Sequence, residues 1–113
     1  MVKSIAVFEY TVGGGFSGKE IDSRLAVEGY AMLYNIVLDL KNSGFRVVTT
    51  LDGRLASTVK IPADEKLMVY GDENPLEKLN PILKTVDGVL LIAPAFKDAL
   101  YEATRFMEKV GVN

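Results

Sequence analysis

Gly88-Val89-Leu90-Leu91-Ile92-Ala93 contains no polar side chain. A strand with one wet face alternates apolar and polar residues, and this run does not. It reads as a strand buried on both faces, which a parallel sheet covered by helices provides. Three other segments read as strands: Ser4 to Phe8 (SIAVF), Phe45 to Leu51 (FRVVTTL) and Lys66 to Tyr70 (KLMVY).

Helical patterns separate most of these strands. Leu25, Gly29, Met32, Leu33, Ile36, Val37 and Leu40 recur at steps of three and four, with Asp22 or Ser23 placed to cap the start. Gly44 is placed to end that helix in the left-handed conformation, with Phe45 folding back on the last turn. Gly29 lies within the apolar face. Glycine there costs about 1 kcal/mol relative to alanine, which points to close packing against a strand or a ligand. Asn74-Pro75 opens a second helix, Asn as cap and Pro at the first helical position. Leu76, Leu79, Ile82, Leu83 and Val86 form its face, and Pro81 is expected to bend it or split it into two turns. A third helix is expected over residues 96–110, with Leu100, Ala103, Met107 and Val110 inward. Residues 52–65 read mostly as loop.

The order is β-α-β-β-α-β-α. With right-handed crossovers it predicts a Rossmann-like three-layer α/β/α sandwich with about four mostly parallel strands. The 113 residues fit one domain. About half are apolar, 49%, enough for a core, and the net charge is −2, which argues against a nucleic-acid partner. There is no Cys and no His, so thiol chemistry and imidazole bases or metal ligands are excluded. No 18-residue apolar run and no signal peptide are evident. The expectation is a soluble, cytoplasmic protein without a membrane partner.

Ligands of open α/β sheets bind beyond the carboxyl ends of the strands. Glu9, Tyr10 and Gly13-Gly14-Gly15 follow the first strand, Asp52, Gly53 and Arg54 the second, Gly71, Asp72 and Glu73 the third, and Ala93 and Pro94 the fourth. Gly13-x-Gly15-x-x-Gly18 fits the dinucleotide fingerprint as a string. In that motif, however, the helix begins within the glycines so that its amides meet the pyrophosphate. Here it begins near Ser23, and the next acidic strand end, Asp52, lies too far on. A P-loop fails because Glu20, not Ser or Thr, follows Gly18-Lys19. The remaining readings of the glycines are an ordinary flexible connection or a mobile lip over a cleft. Glu28 either complements the helix dipole or reaches the strand edge. Asp52 and Arg54 either pair with each other or face a ligand. No nucleophile with a base and no metal cluster is evident, so no catalytic or metal residue is assigned.

Four motifs occur in one order: Phe8-Glu9-Tyr10-Thr11-Val12-Gly13-Gly14-Gly15, Glu28-Gly29-Tyr30-Ala31-Met32, Leu51-Asp52-Gly53-Arg54 and Ile92-Ala93-Pro94. Together they resemble the N-terminal region of ATP-grasp carboligases of the tyramine–glutamate ligase type, over nearly the whole chain. The resemblance implies a pre-ATP-grasp domain preceding domains that clamp ATP. In that superfamily a carboxylate is phosphorylated by Mg-ATP and an amine attacks the acyl phosphate.

By motif match the substrate-binding set is Glu9, Gly13, Gly14, Gly15, Glu28, Asp52, Arg54 and Pro94. The arginine suits a carboxylate substrate, and the carboxylates suit an amine. Relatives carry an acidic residue after Ile-Ala-Pro where this chain has Ala95, which puts a contact from that corner in doubt. The ATP-binding lysines and metal ligands of the larger enzymes have no counterpart here. The expectation is a domain that binds no cofactor alone and works within a longer Mg-ATP-dependent chain. The alternatives are a stand-alone small-molecule or nucleotide-binding module and a dimerisation unit forming a homodimer.

Overall fold

The structure is a computed structural model, and it describes residues 2–93. The elements follow the order β1 (Ser4–Glu9), α1 (Ser23–Asn42), β2 (Arg46–Asp52), a short 3-10 turn (Gly53–Leu55), β3 (Glu65–Val69), α2 (Pro75–Leu83) and β4 (Gly88–Ile92). The third helix expected from the sequence lies outside the described residues. The four strands form one sheet in the order β3-β2-β1-β4, and every neighbouring pair is parallel. This is the Rossmann-like α/β fold expected, and β1 occupies a centre flanked by β2 and β4.

Alternation along β1 builds the two faces. Val7 enters the core shared with Leu33 and Val37 of α1 and with Val47 and Leu51 of β2. Ala6 and Phe8 face the other way and pack with Leu79 and Leu83 of α2. The two helices therefore cover opposite faces of the sheet, making three layers.

Local chemistry sets the helix ends. Asp22 caps α1, its Oδ1 accepting from the N–H groups of Arg24 (2.9 Å) and Leu25 (3.2 Å). At the far end Gly44 adopts φ 91°. The Phe45 N–H then donates to the Leu40 carbonyl, and the Gly44 N–H to that of Lys41, both at 3.0 Å. These are the paired bonds of a Schellman cap. Asn74 caps α2 through a 2.9 Å bond from the Leu76 N–H, with Pro75 at the first position. Pro81 does not split α2. The helix runs through it and ends two residues later, at Leu83. Val86 lies beyond the helix but still packs on its core.

Candidate functional site

The glycine segment is built into the protein rather than draped over it. Thr11 to Gly14 are buried, and Val12 sits in the α1-side core. The Gly13 and Gly15 N–H groups donate to the carbonyls of Glu9 and Tyr10, both at 2.8 Å. The Val12 carbonyl accepts from the Asp52 N–H at 2.7 Å, and the Gly13 carbonyl from the Thr50 hydroxyl at 2.6 Å. A side chain at Gly13 would run into the Glu9 carbonyl, and one at Gly14 (φ 104°) into Val69 at 2.8 Å. The mobile lip is thus corrected to a packed turn. The dinucleotide reading is disfavoured for the same reason, since the amides of Gly13, Gly15, Ser17 and Lys19 are engaged within the loop and α1 begins under an acidic cap.

Glu9 ends β1 on the α1 face, in step with Ile5 and Val7. It is fully buried. Its Oε1 accepts from the Val12 N–H at 2.7 Å, while Oε2 has no hydrogen-bond partner among the described residues. Burial raises the pKa of this carboxyl, opposed by the amide of Val12 and by the amide and hydroxyl of Thr11. Gly29 of α1 makes room for it: a Cβ there would lie 2.5 Å from Oε1 and 2.8 Å from Cδ. The close packing expected at Gly29 is therefore against this carboxyl.

Asp52 and Arg54 pair with each other. Asp52 is almost fully buried. Arg54 donates from Nε to Oδ1 (3.0 Å) and from Nη2 to Oδ2 (2.7 Å), a bidentate fork. The same guanidinium donates to the carbonyls of Lys19 (2.5 Å) and Phe16 (2.9 Å). Burial alone would raise the Asp52 pKa, but the hydrogen bonds and charge of Arg54 outweigh it and hold the carboxyl below its ordinary value. The pair is a clamp on the far half of the glycine loop.

A cavity of about 240 Å³ opens on the α2 side, between that loop and the β3–α2 turn. Phe8 and Tyr10 come from the end of β1. Gly14, Gly15, Ser17 and Lys19 form one wall, and residues 72–76 form the other. The walls are tied where the Ser17 hydroxyl donates to the Gly71 carbonyl at 2.7 Å. Phe8, Tyr10 and Phe16 form an edge-to-face run, with centroids 6.2 and 5.5 Å apart.

Among the described residues of the substrate-binding set assigned by motif match, Gly14 and Gly15 line this space. Glu9 and Gly13 lie beneath the loop, Asp52 and Arg54 brace it, and Glu28 is exposed on α1. Pro94 lies outside the described residues. The sequence reading missed Lys19, Asp72 and Asn74 as lining residues. The position of Asp72 after β3 was the available signal.

Among the described residues, no group of three or more acidic side chains is arranged to hold a metal. Among the described residues, no helix is long and apolar enough to cross a membrane.

The architecture defines a Rossmann-like domain with a cavity at the carboxyl edge of its sheet. Residues 45–113 match the pre ATP-grasp 3 domain. The chain is also similar to tyramine–L-glutamate ligase of Methanocaldococcus fervens, 32% identical over 111 residues, covering 96% of this chain and 36% of that protein. The chain belongs to the pre-ATP-grasp domain family, and it spans about a third of the length of this curated relative. No solved structure matches it.

Proposed function

We propose that the chain is the substrate-side domain of an ATP-dependent carboxylate–amine ligase, acting in the cytoplasm within a longer ATP-grasp chain. The cavity carries this reading: Tyr10 and charged side chains line it, while the amides of Gly13, Gly15, Ser17 and Lys19 are bonded within the loop. In this reading Mg-ATP is held by other domains. A carboxylate substrate is activated there as its acyl phosphate, and the amine displaces phosphate to form an amide. The relative's name pairs tyramine with L-glutamate, and an aromatic amine or an acidic amino acid is the substrate class proposed here. The domain contributes a wall of the substrate cleft and no catalytic group.

A chimera tests this. In the Methanocaldococcus fervens ligase, the matched third is replaced by this chain. Mg-ATP-dependent amide formation is expected to persist in the chimera and to be absent from the 113-residue chain alone. Introducing Gly14→Val, which drives a branched side chain into Val69 and the cavity wall, is expected to raise the KM for a substrate at least tenfold. An inactive but folded chimera, ATP turnover by the chain alone, or an unchanged KM overturns the reading.

A further inference from the structure

We propose that an exposed flank of α1 pairs with the same flank of a second copy of this chain, the two helices running antiparallel about a twofold axis near Ala31. The proposal is independent of the ligase reading.

α1 carries two apolar stripes, and the sheet uses one of them. Gly29, Leu33 and Val37 are buried against it. Val27, Ala31, Tyr34 and Leu38 follow at steps of four, three and four. At about 100° per residue they fall within roughly 60° of arc, on a different flank of the helix. Among the described residues, none of the four packs on either core. Val27 is 70% exposed and Tyr34 37%. Tyr30 borders the stripe, its ring edge-to-face with that of Tyr34 at 5.9 Å between centroids.

The charges beside the stripe specify what covers it. The first turn of α1 holds no acidic residue, and Arg24 stands there instead. Asp39 stands in the last turn. Both placements oppose the helix dipole, which favours anions at the N-terminus and cations at the C-terminus. Neither residue forms an ion pair among the described residues. Arg24 and Asp39 lie on the same side of the stripe. In an antiparallel pair centred near Ala31, position 24 of one copy falls beside position 39 of the other. Each Arg24 then meets Asp39 and the negative helix end of the second copy, and each Asp39 meets Arg24 and the positive end. Val27 falls between Tyr34 and Leu38 of the second copy. Ala31 is small and sits at the crossing, where a short side chain lets two helices approach closely. The flank is thus complementary to itself, as a twofold contact requires. A parallel copy would leave both charges opposed to their helix ends. One helix flank offers less than the about 800 Å² per partner of a standard interface, so a Kd of about 10–100 μM is expected.

Sedimentation of the 113-residue chain from about 5 to 500 μM tests this, with circular dichroism showing that each variant is folded. The mass should rise from monomer towards dimer. Val27→Glu should hold the chain as a monomer throughout. Arg24→Asp and Asp39→Arg should each weaken the dimer at least tenfold, and the double variant should restore it. The chain has no Cys, so Ala31→Cys reports one contact, and its oxidation should give a disulfide-linked dimer. Val27→Cys should not, because two copies of position 27 lie about 13 Å apart along the helices, beyond the reach of a disulfide. A chain that stays monomeric at every concentration overturns the proposal and leaves the stripe to another domain of a longer chain. A dimer that survives Val27→Glu, or one that the double charge reversal does not restore, overturns it as well.

Discussion

Gly29→Ala isolates the packing of Glu9 under the long helix. On an open helix face this substitution stabilises by about 1 kcal/mol through helix propensity. At Gly29 the new Cβ would sit 2.5 Å from Glu9 Oε1, far inside a normal contact of about 3.5 Å. The carboxyl has no free direction in which to move. It is fully buried, and Oε1 is held 2.7 Å from the Val12 N–H. Retreat by the better part of an ångström breaks that bond and leaves a buried donor unpaired, costing about 1–3 kcal/mol. Residual overpacking adds about 1–3 kcal/mol. With the propensity gain subtracted, the expected net loss is about 1–5 kcal/mol. Urea unfolding of wild type, Gly29→Ala, Glu9→Ala and the double variant measures it as a cycle. In the Glu9→Ala background the clash is gone, so Gly29→Ala should stabilise by about 1 kcal/mol, a coupling of roughly 3 kcal/mol. If Gly29→Ala stabilises the wild-type background as well, the reasoning is wrong.

Glu9→Gln keeps the acceptor for Val12 and removes the titration. Because burial raises the folded-state pKa above the ordinary 4.5, the native state binds more protons in that window. Wild-type stability should therefore fall as pH rises from about 4.5 towards the folded value, with a slope of up to about 1.4 kcal/mol per pH unit. The Gln variant should lack this slope, and superimposable pH profiles would refute it. Asp52 acts in the opposite sense: its depressed pKa adds stability above 3.8 that is lost as pH falls through the folded value. Arg54→Ala releases the Phe16 and Lys19 carbonyls and strands the Asp52 carboxylate, with an expected loss of about 1–3 kcal/mol. Amide exchange at Ser17 and Lys19 should accelerate more than in β1. Arg54→Lys should not rescue, since a single ammonium cannot reproduce the fork, and full rescue by Lys would argue against the clamp.

Much of the fold was legible because its signals are local. Asp22, Asn74-Pro75 and Gly44 mark helix ends through bonds to residues a few positions away. The unbroken apolar run of β4 marks a parallel strand, but the burial on both faces expected from it is corrected: β4 lies at the sheet edge, none of its residues is fully buried, and Leu90 is 40% exposed. Even the direction of Glu9 was present in the alternation of Ile5, Val7 and Glu9, which sets it on the face of α1 and not in a cleft. The partners of Arg54 were not legible. Two of them are the backbone carbonyls of Phe16 and Lys19, more than 30 residues away, and a carbonyl is the same in every residue. The cavity was missed for a related reason. It exists because the chain crosses over itself at Gly18 and Gly71, where a Cβ on Gly18 would lie 2.8 Å from the Gly71 carbonyl.

That crossing assigns the glycines a single physical task. Gly13, Gly14 and Gly18 each stand where a side chain would strike backbone or a buried valine, so the loop can lie flat across the ends of β2 and β3. Val12 anchors it in the α1-side core, Thr50 and Asp52 hold its middle, and Arg54 holds its end. These bonds use the loop's carbonyls, while the amides of Gly13, Gly15, Ser17 and Lys19, the groups a phosphate would need, are bonded to carbonyls within the loop. The same sequence pattern that suggests a flexible cradle thus produces a rigid wall. A rigid wall leaves the cavity preformed, and binding there is expected to depend little on loop motion.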